Sequence, residues 1–303
     1  MDNLTHSLTG AILGQMGLKK LSGRAMPTLI VAANLPDIDA FATFLGTESL
    51  AIRRGITHGP IALAVLPLLL TRLVLLYDRW RPSQQPVRPA ALLLLAYIGT
   101  LSHPALDWLN SYGIRLLEPF SSRWYAGDTV FIIDIWIWAA LIVSFVWSRR
   151  REKRDADWQR PAWIGFTAIC AYIAANGLIT GQAEAQTQAA LERQGRAPIL
   201  VVANPVPAAF WDRTMLWRDE AQHGGGDYRL LRGTRLSGSI ELNRLNDPHL
   251  VAARGRKDVE AFLFWSRMPI VIERDGRTFL ADQRFNSSLT RNQFLIPLEP
   301  VRP

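Results

Sequence analysis

The chain has very little cysteine: Cys170, inside an apolar run, is the single one among 303 residues. One cysteine forms no disulfide within the chain, so a disulfide framework is excluded and the redox compartment is left open. The first residues, Met1-Asp2-Asn3, carry no basic charge, and no small-residue cleavage motif follows them. We therefore expect no removable signal peptide. No internal repeat is evident in the sequence.

Apolar residues are abundant and unevenly distributed. They make up 49% of the chain, which includes 11 Trp, and most of the excess lies before about residue 180. This is rich for a soluble protein. Four apolar stretches approach the ~20 residues that a helix needs to cross a bilayer, and two shorter ones precede them. The long stretches are 60–77, 90–109, 130–147 and 162–179, and the short ones are 4–18 and 26–35.

The positions of the basic residues indicate membrane orientation and not a nucleic-acid-binding face. The formal net charge is +8, but much of the basic excess lies in short loops beside the apolar stretches, at 79–88 and 149–160. This distribution is typical of the charges that orient a membrane protein, and the positive-inside rule makes both loops cytoplasmic. We therefore expect no nucleic-acid partner, and we expect the loop 110–129 to lie on the outer side.

The sequence predicts a mainly α protein with two parts. Residues 1–180 are predicted to form a polytopic transmembrane helical bundle, and residues 181–303 an extramembrane α+β domain on the periplasmic side. In the second part, 181–193 and 258–267 have helical patterns, and Asp275-Gly276 is typical of a two-residue hairpin turn. His223 and His249 have the sequence surroundings of surface loops.

The motif His103-Pro104-Ala105-Leu106-Asp107 closes the apolar stretch 90–109. If the helix continues through Pro104, His103 and Asp107 lie four residues apart on one face, where they can hold one cation together. The alternative is a His-Asp hydrogen bond that caps the helix. A charged pair beside so apolar a segment requires a metal, a partner charge or a water-filled mouth.

The predicted topology brings other histidines and carboxylates to the same outer face. Imidazole and carboxylate ligands suit zinc or manganese, and there are enough of them for two ions. In a two-metal site, bound water becomes the nucleophile while the ions clamp a phosphoester. Arg53 and Arg54 could hold a phosphate or stabilise developing charge. The candidate ligands are His6, Asp37, Asp39, His58, His103, Asp107, Asp134 and, less directly, Asp128.

Each of these groups also has a simpler interpretation. Thr5-His6 fits a helix cap with a solvated histidine, residues 36–39 fit a polar turn, and Arg53-Arg54 fits a lipid head-group anchor. Asp128 fits an ordinary exposed loop. Asp134 differs, because a carboxylate within the apolar run 131–136 requires a partner.

Four motifs together resemble those of the YdjM-like family: Asp2-Asn3-Leu4-Thr5-His6, Asn34-Leu35-Pro36-Asp37-Ile38-Asp39, Arg54-Gly55-Ile56-Thr57-His58 and His103-Pro104-Ala105-Leu106-Asp107. The family is described as inner-membrane, metal-dependent hydrolases, with a LexA-binding label that nothing in this sequence supports. The resemblance covers about residues 1–150. It implies that His6, Asp37, Asp39, His58, His103 and Asp107 are the motif residues, with Asp134 a looser match.

Two positions depart from that family pattern. Arg53 stands where a His is expected in many relatives, and Gly59 where a Ser often follows the motif His. The number of metal ions is therefore left open. The order His, Asp, His, His-x3-Asp is also similar to zinc-dependent phospholipase C and zinc-dependent single-strand nucleases, which favours phosphoester chemistry. Residues 181–303 resemble no family.

The preferred prediction is a metal-dependent hydrolase in the bacterial inner membrane, acting on an ester or phosphoester of a lipid or lipid-linked substrate. One or two divalent ions, zinc first and manganese second, would activate water, with Asp37 or Asp39 as base and Arg54 stabilising charge. The alternative is a non-catalytic scaffold with a structural metal site. A transporter is less favoured, because the ionisable residues gather at one face. The sequence does not indicate the oligomeric state.

Overall fold

The computed structural model describes residues 1–286 and 294–298. The described chain forms two compact units: residues 1–41 with 54–176, and residues 42–53 with the described part of 177–303. The functional roles predicted for the two parts of the chain stay predictions. In chain order the helices of the described residues are α1 (Asn3–Gln15), α2 (Ala25–Ala32), α3 (Ser49–Ile52), α4 (Pro60–Trp80), α5 (Pro89–Trp108), α6 (Ile135–Glu152), α7 (Gln159–Arg193), α8 (Pro248–Ala253) and α9 (Lys257–Trp265).

Within the described part of the chain, three helices are long and apolar enough to cross a membrane, namely α4, α5 and α7. They correspond to the predicted stretches 60–77, 90–109 and 162–179. The bent pair formed by α2 and Leu35–Ile52 is a fourth candidate if it counts as one span. Helix α7 runs without a break through Gly181, so the predicted separate helix 181–193 is its continuation.

The predicted span at 130–147 is not among these candidates. Helix α6 begins later than predicted, at Ile135, because the side chain of Asp134 caps its first turn. At its other end the helix includes Arg149, Arg150 and Arg151. With 18 residues, α6 is about 27 Å long at 1.5 Å per residue, and its charged last turn shortens the apolar part.

Helix α2 is packed closely between α1 and α5. A Cβ atom added at Gly10 of α1 would lie 2.6 Å from the carbonyl oxygen of Leu29, and one added at Gly99 of α5 would lie 2.9 Å from the same oxygen. Glycine at both positions lets the backbones approach, as is common between membrane helices. Leu29 itself is fully buried in a core that also contains Ile12 and Leu95.

The basic segments of the first unit meet at one end. Gly23 N donates to the carbonyl of Pro86 at 2.9 Å, and Arg88 N donates to Ser22 Oγ at 2.8 Å. Arg24 Nε donates to Asp78 Oδ1 at 3.0 Å. The segments that the charge rule groups on one side of the membrane therefore lie together. His103 is fifteen residues along α5 from Arg88, which corresponds to about 22 Å.

The second unit contains two antiparallel sheets in the described residues. The orders are β1-β2-β3-β4 and β5-β6-β7. Asp275 and Gly276 join β5 to β6 with φ of 53° and 70°, which confirms the predicted hairpin and fits a type I′ turn. The strands are β1 (Leu200–Pro205), β2 (Asp212–Arg218), β3 (Gln222–Arg229), β4 (Gly233–Leu242), β5 (Pro269–Arg274), β6 (Arg277–Asp282) and β7 (Leu295–Pro297).

Strand β3 shows why part of this unit escaped the sequence analysis. It contains Gly224, where an added Cβ would lie 2.6 Å from the ring of Trp217 on β2. The glycine therefore makes room for a buried aromatic side chain, although the same residues have a loop-like composition. His223 is buried on this strand, so its surface-loop interpretation was wrong. His249 is at the surface as predicted, with a half-exposed side chain, but it lies in α8 and not in a loop.

Candidate metal site

Helix α5 carries the motif that organises the site. It continues through Pro104 to Trp108, as predicted, so His103 and Asp107 lie one turn apart. His103 Nε2 is 3.5 Å from Asp107 Oδ2, and both side chains are fully buried. A pair so placed can offer two ligand atoms to one ion.

Four side chains from three segments converge here: Asp37, His58, His103 and Asp107. Asp37 follows α2 in the 3-10 segment Leu35–Glu48, and His58 ends the 3-10 segment Ile56–His58, just before α4. One ligand atom from each lies within 4.8 Å of all the others. Two connecting segments and helix α5 therefore bring together residues far apart in the sequence.

The distances among these ligand atoms fit a single small cation. His58 Nε2 is 3.1 Å from His103 Nε2 and 3.6 Å from Asp107 Oδ2. Asp37 Oδ1 is 3.6 Å from His103 Nε2 and 3.9 Å from His58 Nε2. A tetrahedral zinc ion with bonds of 2.0–2.2 Å separates its ligands by about 3.3–3.6 Å.

Hydrogen bonds on the far side of each imidazole set its tautomer. His103 Nδ1 lies 2.7 Å from the carbonyl oxygen of Ala33, which only accepts, so Nδ1 carries the hydrogen. The hydroxyl of Thr57 donates to Asp39 Oδ2 at 2.7 Å, which leaves Thr57 Oγ1 to accept from His58 Nδ1 at 2.9 Å. Both Nε2 atoms then present lone pairs to each other.

This arrangement requires a positive charge between the two imidazoles. Two lone pairs 3.1 Å apart repel each other unless a proton or a metal ion lies between them. Asp37 and Asp107 add two carboxylates beside the same two nitrogens, so with neutral imidazoles the four groups carry a charge of −2. Arg54 and the Met1 amine offset part of this charge at Asp107, so it is the donor set of two imidazoles and two carboxylates that fits one divalent cation.

Both oxygens of Asp107 also contact positively charged groups outside the four-residue group, and these contacts include Oδ2, the oxygen that faces His58 and His103. Arg54 Nε is 3.0 Å from Asp107 Oδ2, and Arg54 Nη2 is 3.3 Å from Asp107 Oδ1. The amine of Met1 also contacts Oδ1. Arg54 is only 4% exposed and donates to Asn110 Oδ1 at 3.1 Å. The structure therefore places Arg54 as a buried charge partner of Asp107, and its role towards a phosphate stays a prediction.

His6 lies beside the four-residue group. Its ring stacks on that of His103 with centroids 3.8 Å apart, and His6 Nε2 is 3.2 Å from Asp107 Oδ1. The side chain is fully buried, which rules out the solvated-cap interpretation; Asp2 is the residue that caps α1. Its role as a ligand stays a prediction.

Asp39 lies behind His58. Its Oδ2 accepts hydrogen bonds from Arg54 N and from Thr57 Oγ1, and lies 3.4 Å from His58 Nδ1. Its Oδ1 is buried and has no hydrogen-bond partner among the described residues. The carboxylate therefore orients His58 through Thr57, and direct ligation by Asp39 stays a prediction.

The carboxylate of Asp134 has hydrogen-bond partners of its own at the start of α6. It accepts from the backbone of Trp136 and Ile137 at 3.0 Å and from the hydroxyl of Tyr172 at 2.9 Å. These bonds compensate its carboxylate at the start of α6. Asp128 is 3% exposed, so the prediction of an ordinary exposed loop there was wrong.

The Thr57 hydroxyl gives a first testable consequence of this geometry. Thr57→Val removes the link between Asp39 and His58 while keeping the side-chain shape, and should weaken divalent metal binding by roughly 10–100-fold, the usual cost of an outer-shell partner. Titration of metal-stripped protein with zinc, followed by calorimetry, measures this. Thr57→Ser keeps the hydroxyl and should bind like the unsubstituted protein. Equal weakening by both substitutions would contradict the hydrogen-bond relay.

Comparison with known proteins identifies the membrane part. Searches of curated proteins and of solved structures found no match. A family model described as YdjM inner membrane protein matches residues 1–183, a range that includes the four-residue group and the three candidate spans α4, α5 and most of α7. The chain therefore belongs to the YdjM inner membrane protein family.

Proposed function

We propose that this protein is a membrane-embedded, metal-dependent hydrolase that cleaves an ester or phosphoester of a lipid or lipid-linked substrate. The observation that carries the proposal is the facing pair of His58 and His103 Nε2 atoms, 3.1 Å apart, with Asp37 and Asp107 beside them. A divalent ion held there would act as a Lewis acid and would lower the pKa of a bound water towards neutrality.

The chain's own groups have distinct tasks in this proposal. His58 and His103 hold the ion through Nε2, and their Nδ1 hydrogen bonds keep both rings oriented. Asp107 is fully buried, whereas Asp37 is partly exposed, so the substrate approaches from the side of Asp37. Asp39 Oδ1, which is buried without a partner in the described chain, is available to hold a proton transferred through this site.

Exposed apolar side chains beside the ligands favour a lipid substrate. Ile38, between Asp37 and Asp39, is 44% exposed, Phe41 is 76% exposed and Ile56 is 65% exposed. Large apolar groups next to ligand residues suit contact with acyl chains at the membrane surface. A soluble polar substrate gives no reason for them.

A structural metal site is the second candidate function. Four protein groups at tetrahedral spacing are typical of closed structural zinc sites, whereas catalytic zinc sites usually have three protein ligands and a water. For a scaffold of this kind, the ion would join the two connecting segments to α5 without turnover. The partly exposed Asp37 is the ligand whose release or displacement would distinguish the two functions.

Metal removal tests both candidates. Purified protein should contain about one divalent ion per chain, measured by elemental mass spectrometry, or two if His6 and Asp39 join a second site. Chelation should abolish hydrolysis of bis-p-nitrophenyl phosphate or of a phospholipid, and zinc or manganese should restore it. Metal-loaded protein that hydrolyses neither of these nor simple esters would reject the hydrolase and favour the scaffold.

We also propose that the basic end of the first unit faces the cytoplasm and that the C-terminal residues lie in the periplasm. The convergence of the basic loops at one end supports the first part. Alkaline phosphatase fused after Pro303 should be active, whereas the same enzyme fused after Arg154 should be inactive. This placement requires both α6 and α7 to cross the membrane after the outer loop 110–129, although α6 is not among the candidate spans. An inactive fusion after Pro303 would show that the number of crossings differs from the number that the placement requires.

A further inference from the structure

Two cavities adjoin at the basic end of the first unit. One, of about 390 Å³, is a groove between α2 and α4. The other, of about 420 Å³, lies next to it near the start of α2. Both are lined by Arg24 and Pro27, so the two adjoin at these residues.

The groove is apolar. It runs along α2 from Arg24 to Val31, about 10 Å at the helical rise. Val31 is 47% exposed and Leu73 is 62% exposed, although α4 is one of the candidate spans. An exposed apolar groove along a spanning helix faces lipid. Its other lining residues are Thr28, Leu70, Val74 and Tyr77.

The adjoining cavity is cationic. Lys19, Lys20 and Arg24 line it, and the carboxylates that pair with them are Glu152, which contacts Lys19, and Asp78, which contacts Arg24. Three positive charges therefore face two negative charges. One positive charge remains for a ligand.

Aromatic rings hold these cations at a level typical of a membrane surface. Lys19 Nζ lies 4.1 Å from the centre of the Trp158 ring, and Lys20 Nζ lies 4.9 Å from it. The Arg24 guanidinium lies 5.0 Å from the centre of the Tyr77 ring, which itself lines the groove. Tryptophan and tyrosine with basic side chains mark the interface between head groups and acyl chains.

The segments around the cationic cavity add further positive charge. The segments that meet here carry a cluster of basic residues, and clusters of this size beside spanning helices attract anionic lipid head groups. These residues are Arg79, Arg81, Arg88, Arg149, Arg150, Arg151, Lys153 and Arg154.

We infer that the two cavities form a binding site for one anionic phospholipid, separate from the metal site. The phosphate lies against Lys19, Lys20 and Arg24, and an acyl chain lies in the groove between α2 and α4. The adjacency of a cationic cavity and an apolar groove at one interface supports a lipid over a soluble anion. The site would tie α2 to α4, two helices whose neighbouring segments carry Asp37 and His58.

Native mass spectrometry of the full chain in detergent tests this with two added lipids, phosphatidylglycerol and phosphatidylcholine. Phosphatidylglycerol should bind more tightly. Lys20→Gln, whose side chain contacts only Gln159 at 3.4 Å and the Trp158 ring among the described residues, should reduce its affinity by roughly fivefold. Leu73→Trp, which fills the groove and changes no charge, should also reduce it. Arg150→Gln removes one charge from the same end outside both cavities and is the matched control.

Several results would overturn the inference. Equal affinity for the two lipids would remove the anionic preference, and an effect of Arg150→Gln as large as that of Lys20→Gln would reduce the site to a general surface potential. Unchanged phosphatidylglycerol binding by Leu73→Trp would exclude the groove. Displacement of the lipid by free glycerol phosphate at similar concentration would indicate a soluble anion site. None of these readouts depends on hydrolysis.

Discussion

Replacing His103 by alanine is expected to remove both the bound divalent metal and hydrolytic turnover. The substitution deletes Nε2, which lies within 3.6 Å of ligand atoms from His58, Asp37 and Asp107, and also deletes the hydrogen bond to Ala33. Loss of a direct ligand should exceed the roughly 10–100-fold cost of losing an outer-shell partner. Elemental analysis and phosphodiester hydrolysis measure the two effects on one preparation.

Asp107 is the second residue whose removal should abolish turnover. Asp107→Ala leaves Arg54 and the Met1 amine buried beside an apolar side chain, which costs about 3–5 kcal/mol for a broken buried pair. Asp107→Asn keeps the shape and part of the hydrogen bonding, and is therefore the variant to assay if the alanine form fails to fold. For His103→Ala, the control is His249→Ala at a half-exposed histidine of α8, which tests for a general effect of losing a histidine. Full activity of folded Asp107→Asn would refute a metal-bound carboxylate.

The sequence predicted the position of the site better than its inner geometry. Hydrophobic stretches and basic loops were enough to bring His58, His103 and Asp107 to one end, because helix length and loop charge fix which residues share an end. Separating close ligands from supporting groups needs distances accurate to a few tenths of an ångström. Thr57 belongs to one motif with His58 and Asp39 belongs to another, and only the structure shows the Thr57 hydroxyl between the carboxylate and the imidazole.

Some hydrogen-bond partners of the site residues could not be predicted from the sequence. The acceptor for His103 Nδ1 is the carbonyl of Ala33, and any residue type supplies a carbonyl. Asp134 was selected because a carboxylate in an apolar run needs compensation, which is correct, but the first turn of α6 and Tyr172 provide that compensation. Strands β2 and β3 were missed because their charged and glycine residues mask the alternation that reveals a strand.

Placing a valine at Gly99 should damage the fold and the metal site together. A Cβ at this position would lie 2.6 Å from Ala32 Cβ and 2.9 Å from the carbonyl oxygen of Leu29, so α2 must move away from α5. Overpacking of this kind typically costs about 1–3 kcal/mol, and occasionally more. The β-branched side chain of valine adds two further methyl groups. We expect a lower temperature of thermal unfolding in detergent.

The same displacement should reach the ligands, because α2 ends beside them. Ala33 accepts the hydrogen bond of His103, and Asp37 follows four residues later, so a shift of α2 moves both relative to α5. Gly99→Ala should therefore lower both the affinity for zinc and the stability of the fold, and both effects should be smaller than those of Gly99→Val because alanine is smaller than valine. Gly181→Ala is the matched control, since a Cβ there meets nothing within 4 Å and alanine favours the helix by about 1 kcal/mol. If Gly99→Val bound zinc with unchanged affinity, the close packing of α2 against α5 would not be what positions Asp37 and orients His103.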